Sequence, residues 1–110
     1  MAVVPDKGDY VYLNFNPQSG KEKTGRRSAI VLTPESFNRT TGFAVFCPIT
    51  NTVKNWPFQV HLPDGEAFTG AIETDQLKSL DWRSRNIQII GKADEDVLEE
   101  CLAKIEAFLS

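Results

Sequence analysis

Residues 10–34 read YVYLNFNPQSGKEKTGRRSAIVLTP, and the two apolar ends of this stretch decide the fold. From Tyr10 to Phe15, Val11, Leu13 and Phe15 alternate with Tyr10, Tyr12 and Asn14, which is the period of a half-buried strand. Ala29 to Leu32 is a continuous apolar run that Pro34 closes, so a buried strand is predicted from about Ser28 to Thr33. Between the strands lies a loop with glycines at Gly20 and Gly25. Lys21, Glu22 and Lys23 fall inside it, and Arg26 and Arg27 follow it directly. A cationic loop anchored on a buried strand is how a rigid scaffold presents charge to an anionic ligand.

Outward from this stretch, turns punctuate the chain at short intervals. Pro5-Asp6-Lys7-Gly8 is a turn signal, as is Pro63-Asp64-Gly65. Residues 35–42 are polar and predict a loop or a single helical turn. Phe43 to Thr50 is a further strand, with Pro48 suggesting an edge or an exit from the ladder. Asn51 to Trp56 is a loop, and Phe58 to Leu62 a strand. Gly70 to Leu77 and Asn86 to Lys92 are strands joined by the connection 78–85. After Lys92 the period changes: Val97, Leu98, Cys101, Leu102, Ile105 and Leu109 form one helical stripe. Asp94 is placed to cap that helix, with Glu95 and Asp96 suited to its dipole. Short strands followed by one amphipathic helix predict a mainly β fold, a compact antiparallel barrel with a C-terminal α-helix packed on it.

The chain has 110 residues, 41% hydrophobic and 25% charged, which suits one small folded domain over 1–110. Its core is thin, so dimerisation is a natural way to bury more surface. The net charge of −3 hides an asymmetry. Through Ala93 there are 11 Lys/Arg against 9 Asp/Glu, and from Asp94 to Ser110 there is 1 Lys against 6 Asp/Glu. The body is therefore mildly cationic, and local potential governs what a cleft attracts. Cys47 and Cys101 lie in apolar runs, far from any ligand spacing, and are expected to be reduced core residues of a cytoplasmic protein. No apolar run approaches the roughly 18 residues of a membrane span, and no signal-peptide pattern opens the chain.

Three groups of residues could carry chemistry. In the first, Lys21, Glu22, Lys23, Arg26 and Arg27 set one acid among four cations. Guanidinium groups bind phosphate, and a carboxylate beside them is the minimum for acid–base work on a phosphodiester; the alternative is a solvated loop of weak ion pairs. The second group is Pro48 to Thr52, whose hydroxyls and amide suit phosphate oxygens or base edges, or simply their own turn. The third is Asp75 to Arg85, which with Trp56 mixes cations and aromatics as base-stacking surfaces do. Trp82 alone reads equally as a barrel plug or dimer contact. His61 is the only histidine and is expected to be structural, which excludes a nuclease built on a His pair. There is no phosphate-binding glycine loop, no metal-ligand cluster and no nucleophile elbow, so neither metal nor cofactor is expected.

At these residues the chain resembles the MazF/PemK family of toxin endoribonucleases over nearly its full length. The resemblance is carried by Val4-Pro5-Asp6-Lys7-Gly8-Asp9, Phe15 to Glu22, Gly25 to Leu32, Pro48-Ile49-Thr50, Trp56-Pro57-Phe58 and Asp75-Gln76 to Arg85. It implies a small half-open SH3-like barrel and a homodimer. It also implies cleavage of single-stranded RNA, usually mRNA, at short sequences, with a cognate MazE-like antitoxin as inhibitor. The family's catalytic arginine falls on Arg27, its threonine on Thr50 and its first-loop acid on Glu22. RNA is expected to contact Asn16, Lys21, Lys54, Trp56, Gln76, Lys78 and Arg83. One departure stands out: the family usually has Pro after the arginine, and here Ser28 follows, which loosens the backbone behind Arg27. Two rivals share the architecture: a CcdB-like topoisomerase poison, and an RNA-binding barrel module without activity.

Overall fold

The computed structural model describes residues 3–15 and 25–110. Seven strands form one antiparallel sheet: β1 (Asp9–Asn14), β2 (Arg26–Val31), β3 (Phe43–Thr50), β4 (Gln59–His61), β5 (Ala71–Glu73), β6 (Lys78–Asp81) and β7 (Gln88–Lys92). Helix α1 (Glu35–Thr41) joins β2 to β3, and α2 (Glu95–Leu109) ends the chain. The strand path runs β4-β5-β3-β2-β1-β7, with β6 also paired to β3. The two ends of the path do not pair, so the sheet is a half-open barrel, as the resemblance implies.

β3 is the axis of the sheet. One edge pairs with β2, through Ala29–Pro48, Ile30–Cys47 and Val31–Phe46. The other edge pairs first with β6, from Phe43–Asp81 to Phe46–Lys78, and then with β5, at Ile49–Ile72 and Thr50–Ala71. Pro48 therefore lies in a central strand, not at an edge; of the two places its missing N–H suggested, it takes the break in the ladder, between the β6 and β5 pairings. The reason is local. Leu32 N donates to Val45 O at 2.8 Å, so odd-numbered residues of β3 turn their polar groups toward β2. Pro48, an even-numbered residue, turns its missing donor toward the gap between β6 and β5, where no ladder bond is lost.

Two apolar clusters lie on opposite faces. Tyr10, Ile30, Cys47, Ile49, Val60 and Ile72 pack against Val97, Cys101 and Ile105 of α2. Val11, Leu13, Phe15, Ala29, Val31, Ala44, Phe46, Leu80 and Trp82 form the second cluster. β1 is thus buried on both faces, with Tyr12 its one exposed side chain. The expected alternation fails at Tyr10 because α2 covers that face. The Tyr10 hydroxyl donates to Glu66 Oε1 at 2.6 Å, and the same oxygen accepts from Asp94 N at 3.1 Å. Asp94 caps α2, its Oδ1 accepting from Asp96 N at 2.9 Å. Both cysteines are free and buried. Burial pushes both thiols up, Cys101 to about 12, which keeps them protonated and inert.

Three other elements differ from expectation. Residues 35–41 form a seven-residue helix, because buried Asn38 organises the chain around it. Its Nδ2 donates to Pro5 O at 2.7 Å and Thr33 O at 2.9 Å, and its Oδ1 accepts from Thr33 Oγ1 at 2.7 Å. Its backbone oxygen accepts the Trp82 indole N–H at 2.9 Å, so Trp82 is a buried plug. The connection 78–85 contains β6, whose polar, exposed residues hid its pairing with β3. The strand expected from Gly70 to Leu77 shortens to Ala71–Glu73 and ends in a 3-10 turn, Thr74–Gln76.

Gly70 enters β5 with φ of 108°, a conformation reserved for glycine. A Cβ there would stand 2.1 Å from the carbonyl oxygen of Thr50. The close approach allows β5 to sit against the end of β3. Gly70→Ala is expected to lower stability by about 2–5 kcal/mol, from backbone strain plus overpacking. Urea unfolding measures it, and a change under about 0.5 kcal/mol would contradict this account of the strand end.

Candidate functional site

The end of β3 gathers the polar groups. The β2–β3 register pairs Ala29 with Pro48; carried two residues further it sets Arg27 across from Thr50. On the other side, Thr50 pairs with Ala71 and Gln59 with Glu73. By alternation, Arg27, Thr50 and Glu73 leave the sheet on the face opposite the α2 cluster.

The side chain of Arg27 is 37% exposed, and its Nη2 stands 4.0 Å from Glu73 Oε1. That distance is an ion pair without a hydrogen bond. Among the described residues the guanidinium donates to no side chain or carbonyl, so its fork is open toward solvent. The guanidinium lies over the ring of Phe15, Cζ 6.0 Å from the centroid. Arg26 points the other way: Nη1 donates to Asn86 O at 2.8 Å, Nη2 to Gln88 Oε1 at 3.4 Å, and the group lies 5.9 Å from the Tyr12 ring. Adjacent arginines thus have different roles, because successive residues of a strand face opposite sides.

Thr50 is half-buried at the last position of β3. Its Oγ1 accepts from Thr52 N at 3.1 Å, which orients the hydroxyl and leaves its proton for a ligand. Beside it is a cavity of about 250 Å³ lined by Lys54, Trp56, Gln59, Glu73, Asp75 and Gln76. Trp56 is 47% exposed and packs edge-on against Phe58, 5.8 Å between centroids. The loop that carries it is tied by Gln59, whose Oε1 accepts from Lys54 N at 2.8 Å while Nε2 donates to Thr52 O at 3.0 Å. His61 holds the same loop, its Nε2 3.0 Å from Lys54 O. A larger hollow, about 380 Å³, lies between this loop and α2 and shares Trp56, Gln59 and His61 with Glu100 and Lys104.

Of the residues expected from sequence, Lys54, Trp56 and Gln76 share the smaller cavity, with Glu73 bridging it to Arg27. Lys78 stands near the same end, its Nζ 5.4 Å from the Phe15 ring centroid. Arg83 does not join them. It lies over Trp82 at 4.8 Å and donates from Nη2 to Arg39 O at 3.0 Å, by the far end of β3 where Phe43 pairs with Asp81. Asn16, Lys21 and Glu22 lie outside the described residues. Ser28 sits inside β2 opposite Tyr12, so pairing with β1 restrains the backbone behind Arg27. Glu73 and Gln59 were missed, because nothing in the sequence told which strand would meet the end of β3. Among the described residues no group of three or more His, Cys, Asp and Glu side chains is placed to hold a metal ion, and no helix is long and apolar enough to cross a membrane.

Residues 6–109 match the model of the PemK-like, MazF-like toxins of type II toxin–antitoxin systems. The chain is 37% identical over 106 residues to the endoribonuclease toxin MazF of Escherichia coli K12, covering 96% of this chain and 95% of that one. It is 28% identical over 109 residues to the endoribonuclease PemK of Escherichia coli, covering 96% and 82%. In three dimensions it is similar to crystalline MazF from Deinococcus radiodurans, at 44% identity and a TM-score of 0.88 over 98% of each chain. A MazE–MazF crystal structure from the same organism has 40% identity and a TM-score of 0.86, over 98% of this chain and 97% of that one. The half-open barrel agrees with these likenesses, and the chain belongs to the PemK-like, MazF-like family of type II toxin–antitoxin toxins.

Proposed function

We propose that this chain is the toxin of a type II toxin–antitoxin system, an endoribonuclease that cuts single-stranded RNA, mRNA above all, at short sequences and so inhibits translation and growth. The observation that carries this is the open guanidinium fork of Arg27 at the strand end, beside the cavity of Lys54, Trp56 and Gln76, in a chain related along its length to named endoribonucleases. Those names also disfavour the topoisomerase poison and the inert RNA-binding barrel.

The chemistry follows from what RNA supplies. The 2′-oxygen of the nucleotide before the cut attacks phosphorus, and its proton passes to Glu22. The phosphorane then expels the 5′-oxygen, which takes a proton from water while protonated Glu22 returns its proton to the hydroxide so formed, leaving a 2′,3′-cyclic phosphate and a 5′-hydroxyl. Arg27 stays protonated throughout and stabilises charge on the non-bridging oxygens, an effect of roughly 3–4 kcal/mol for one well-placed donor. Thr50 donates its hydroxyl proton to one of those oxygens. No step requires a metal ion.

The chain acts as a homodimer in the cytoplasm, where its substrate lies and its buried thiols stay reduced. Exposed apolar side chains, Tyr12, Phe37, Phe43 and Ile90 among them, offer surface for a second copy. A MazE-like antitoxin is its inhibitor, as the MazE–MazF assembly of a relative suggests. Asn16, Lys21, Lys54, Trp56, Gln76 and Lys78 hold the RNA, with Arg83 reaching only strand that continues past the far end of β3.

Arg27→Ala is expected to slow cleavage at least about 100-fold with the fold intact, because its loose, solvent-exposed ion pair with Glu73 stabilises the fold by less than about 1 kcal/mol. Gel assays of labelled RNA alongside circular dichroism check both halves, and full activity would remove the assignment. A substrate with one 2′-deoxy nucleotide at the cut should bind with unchanged affinity and remain whole; its cleavage would show that the nucleophile is not the 2′-oxygen.

A further inference from the structure

Glu73 is a carboxylate beside Arg27 for which the proposed reaction has no use. We infer that Glu73 selects the base next to the scissile phosphate by accepting hydrogen bonds from a base that carries an amino group, with Trp56 as the wall against which that base lies. The inference rests on the endoribonuclease reading and adds the class of RNA that the site prefers.

Position comes first. Glu73 is held on β5 opposite Gln59 and lines the cavity that Trp56 borders. Its side chain is 29% exposed, and its nearest cation, Arg27, is 4.0 Å away. At that distance no hydrogen bond forms, so both carboxylate oxygens keep their capacity to accept. Gln59 cannot substitute as a reader, because it is buried and its amide is turned to Lys54 N and Thr52 O; its part is to hold the loop that presents Trp56.

Electrostatics then sorts the ligand. A phosphate is drawn to Arg27 and repelled by Glu73, so the RNA backbone runs on the arginine side and the group entering the cavity is the neutral base. Trp56 offers half its surface, a face on which any base can stack. The carboxylate distinguishes among bases. Adenine, cytosine and guanine carry amino donors, and a carboxylate accepts from them well. Uracil presents a single N–H between two carbonyl oxygens, which a carboxylate repels. Amino-bearing bases therefore fit and uracil does not.

The test is single-turnover cleavage of short single-stranded oligoribonucleotides randomised around the cut, by the wild-type chain, Glu73→Gln and Glu73→Asp. The wild type should favour A, C or G over U by about tenfold or more at one position flanking the cut. Glu73→Gln, whose amide can donate as well as accept, should reduce that ratio to about twofold there and leave other positions unchanged. Glu73→Asp should keep the preference. Ratios between bases cancel any general loss of rate caused by disturbing Arg27. Uracil favoured at both flanking positions would overturn the inference, as would a slower Glu73→Gln with an unaltered motif. If Glu73→Gln does not fold, the wild-type preference and Glu73→Asp decide. A wild type that cuts no RNA at all would instead defeat the endoribonuclease reading itself.

Discussion

The site depends on the way β3 divides its edges. One edge pairs with β2 from Ala29 to Val31, and that register, carried two residues further, sets Arg27 across from Thr50. The other is shared between β6 and β5, and the gap between them accommodates a proline in the middle of the sheet. A shift of one residue in the β2–β3 pairing would turn Arg27 to the α2 side and Arg26 to the site, because strand side chains alternate. The apolar clusters on both faces forbid that slip: Ile30 and Cys47 belong to one, Ala29 and Phe46 to the other. The packing of the core thus aims the guanidinium.

The same constraint explains how an acidic chain can handle an acidic polymer. Net charge is −3, yet the cations that matter are placed one by one. Arg26 is consumed by Asn86 and Gln88, and Arg83 by the end of α1. Arg85 binds Asp81 at 2.8 Å and two carbonyls of the β1 end. Arg27 alone among these arginines makes no hydrogen bond among the described residues, and its one ion-pair partner, Glu73, lines the cavity. Glu73 stands 4.0 Å away, too far to hydrogen-bond that fork, which leaves the guanidinium to a phosphate.

Much of this was legible in the sequence, where local pattern and tertiary demand agree. The apolar run from Ala29 to Leu32, the strand from Phe43 to Thr50 and the capped stripe of α2 follow directly from periodicity and capping chemistry. The place of Arg27 at the start of a strand was legible from the apolar run that follows it, and a plug was among the readings of Trp82. What escaped depends on contacts distant in sequence. Nothing local announces that Asn38 will be buried and will organise α1, or that Tyr10 will be covered by α2. The polar face of β6 hid a strand, and Glu73 became relevant only when β5 met the end of β3. Residues 16–24, Lys21 and Glu22 among them, lie outside the described residues.

The central claim is that this aligned arginine and threonine serve an attack by the RNA's own 2′-oxygen. Mass spectrometry of the fragments from a defined oligoribonucleotide tests it most directly. The upstream fragment should end in a 2′,3′-cyclic phosphate and the downstream fragment begin with a 5′-hydroxyl. A 3′-hydroxyl paired with a 5′-phosphate would mean that water attacked from outside, and would contradict the account.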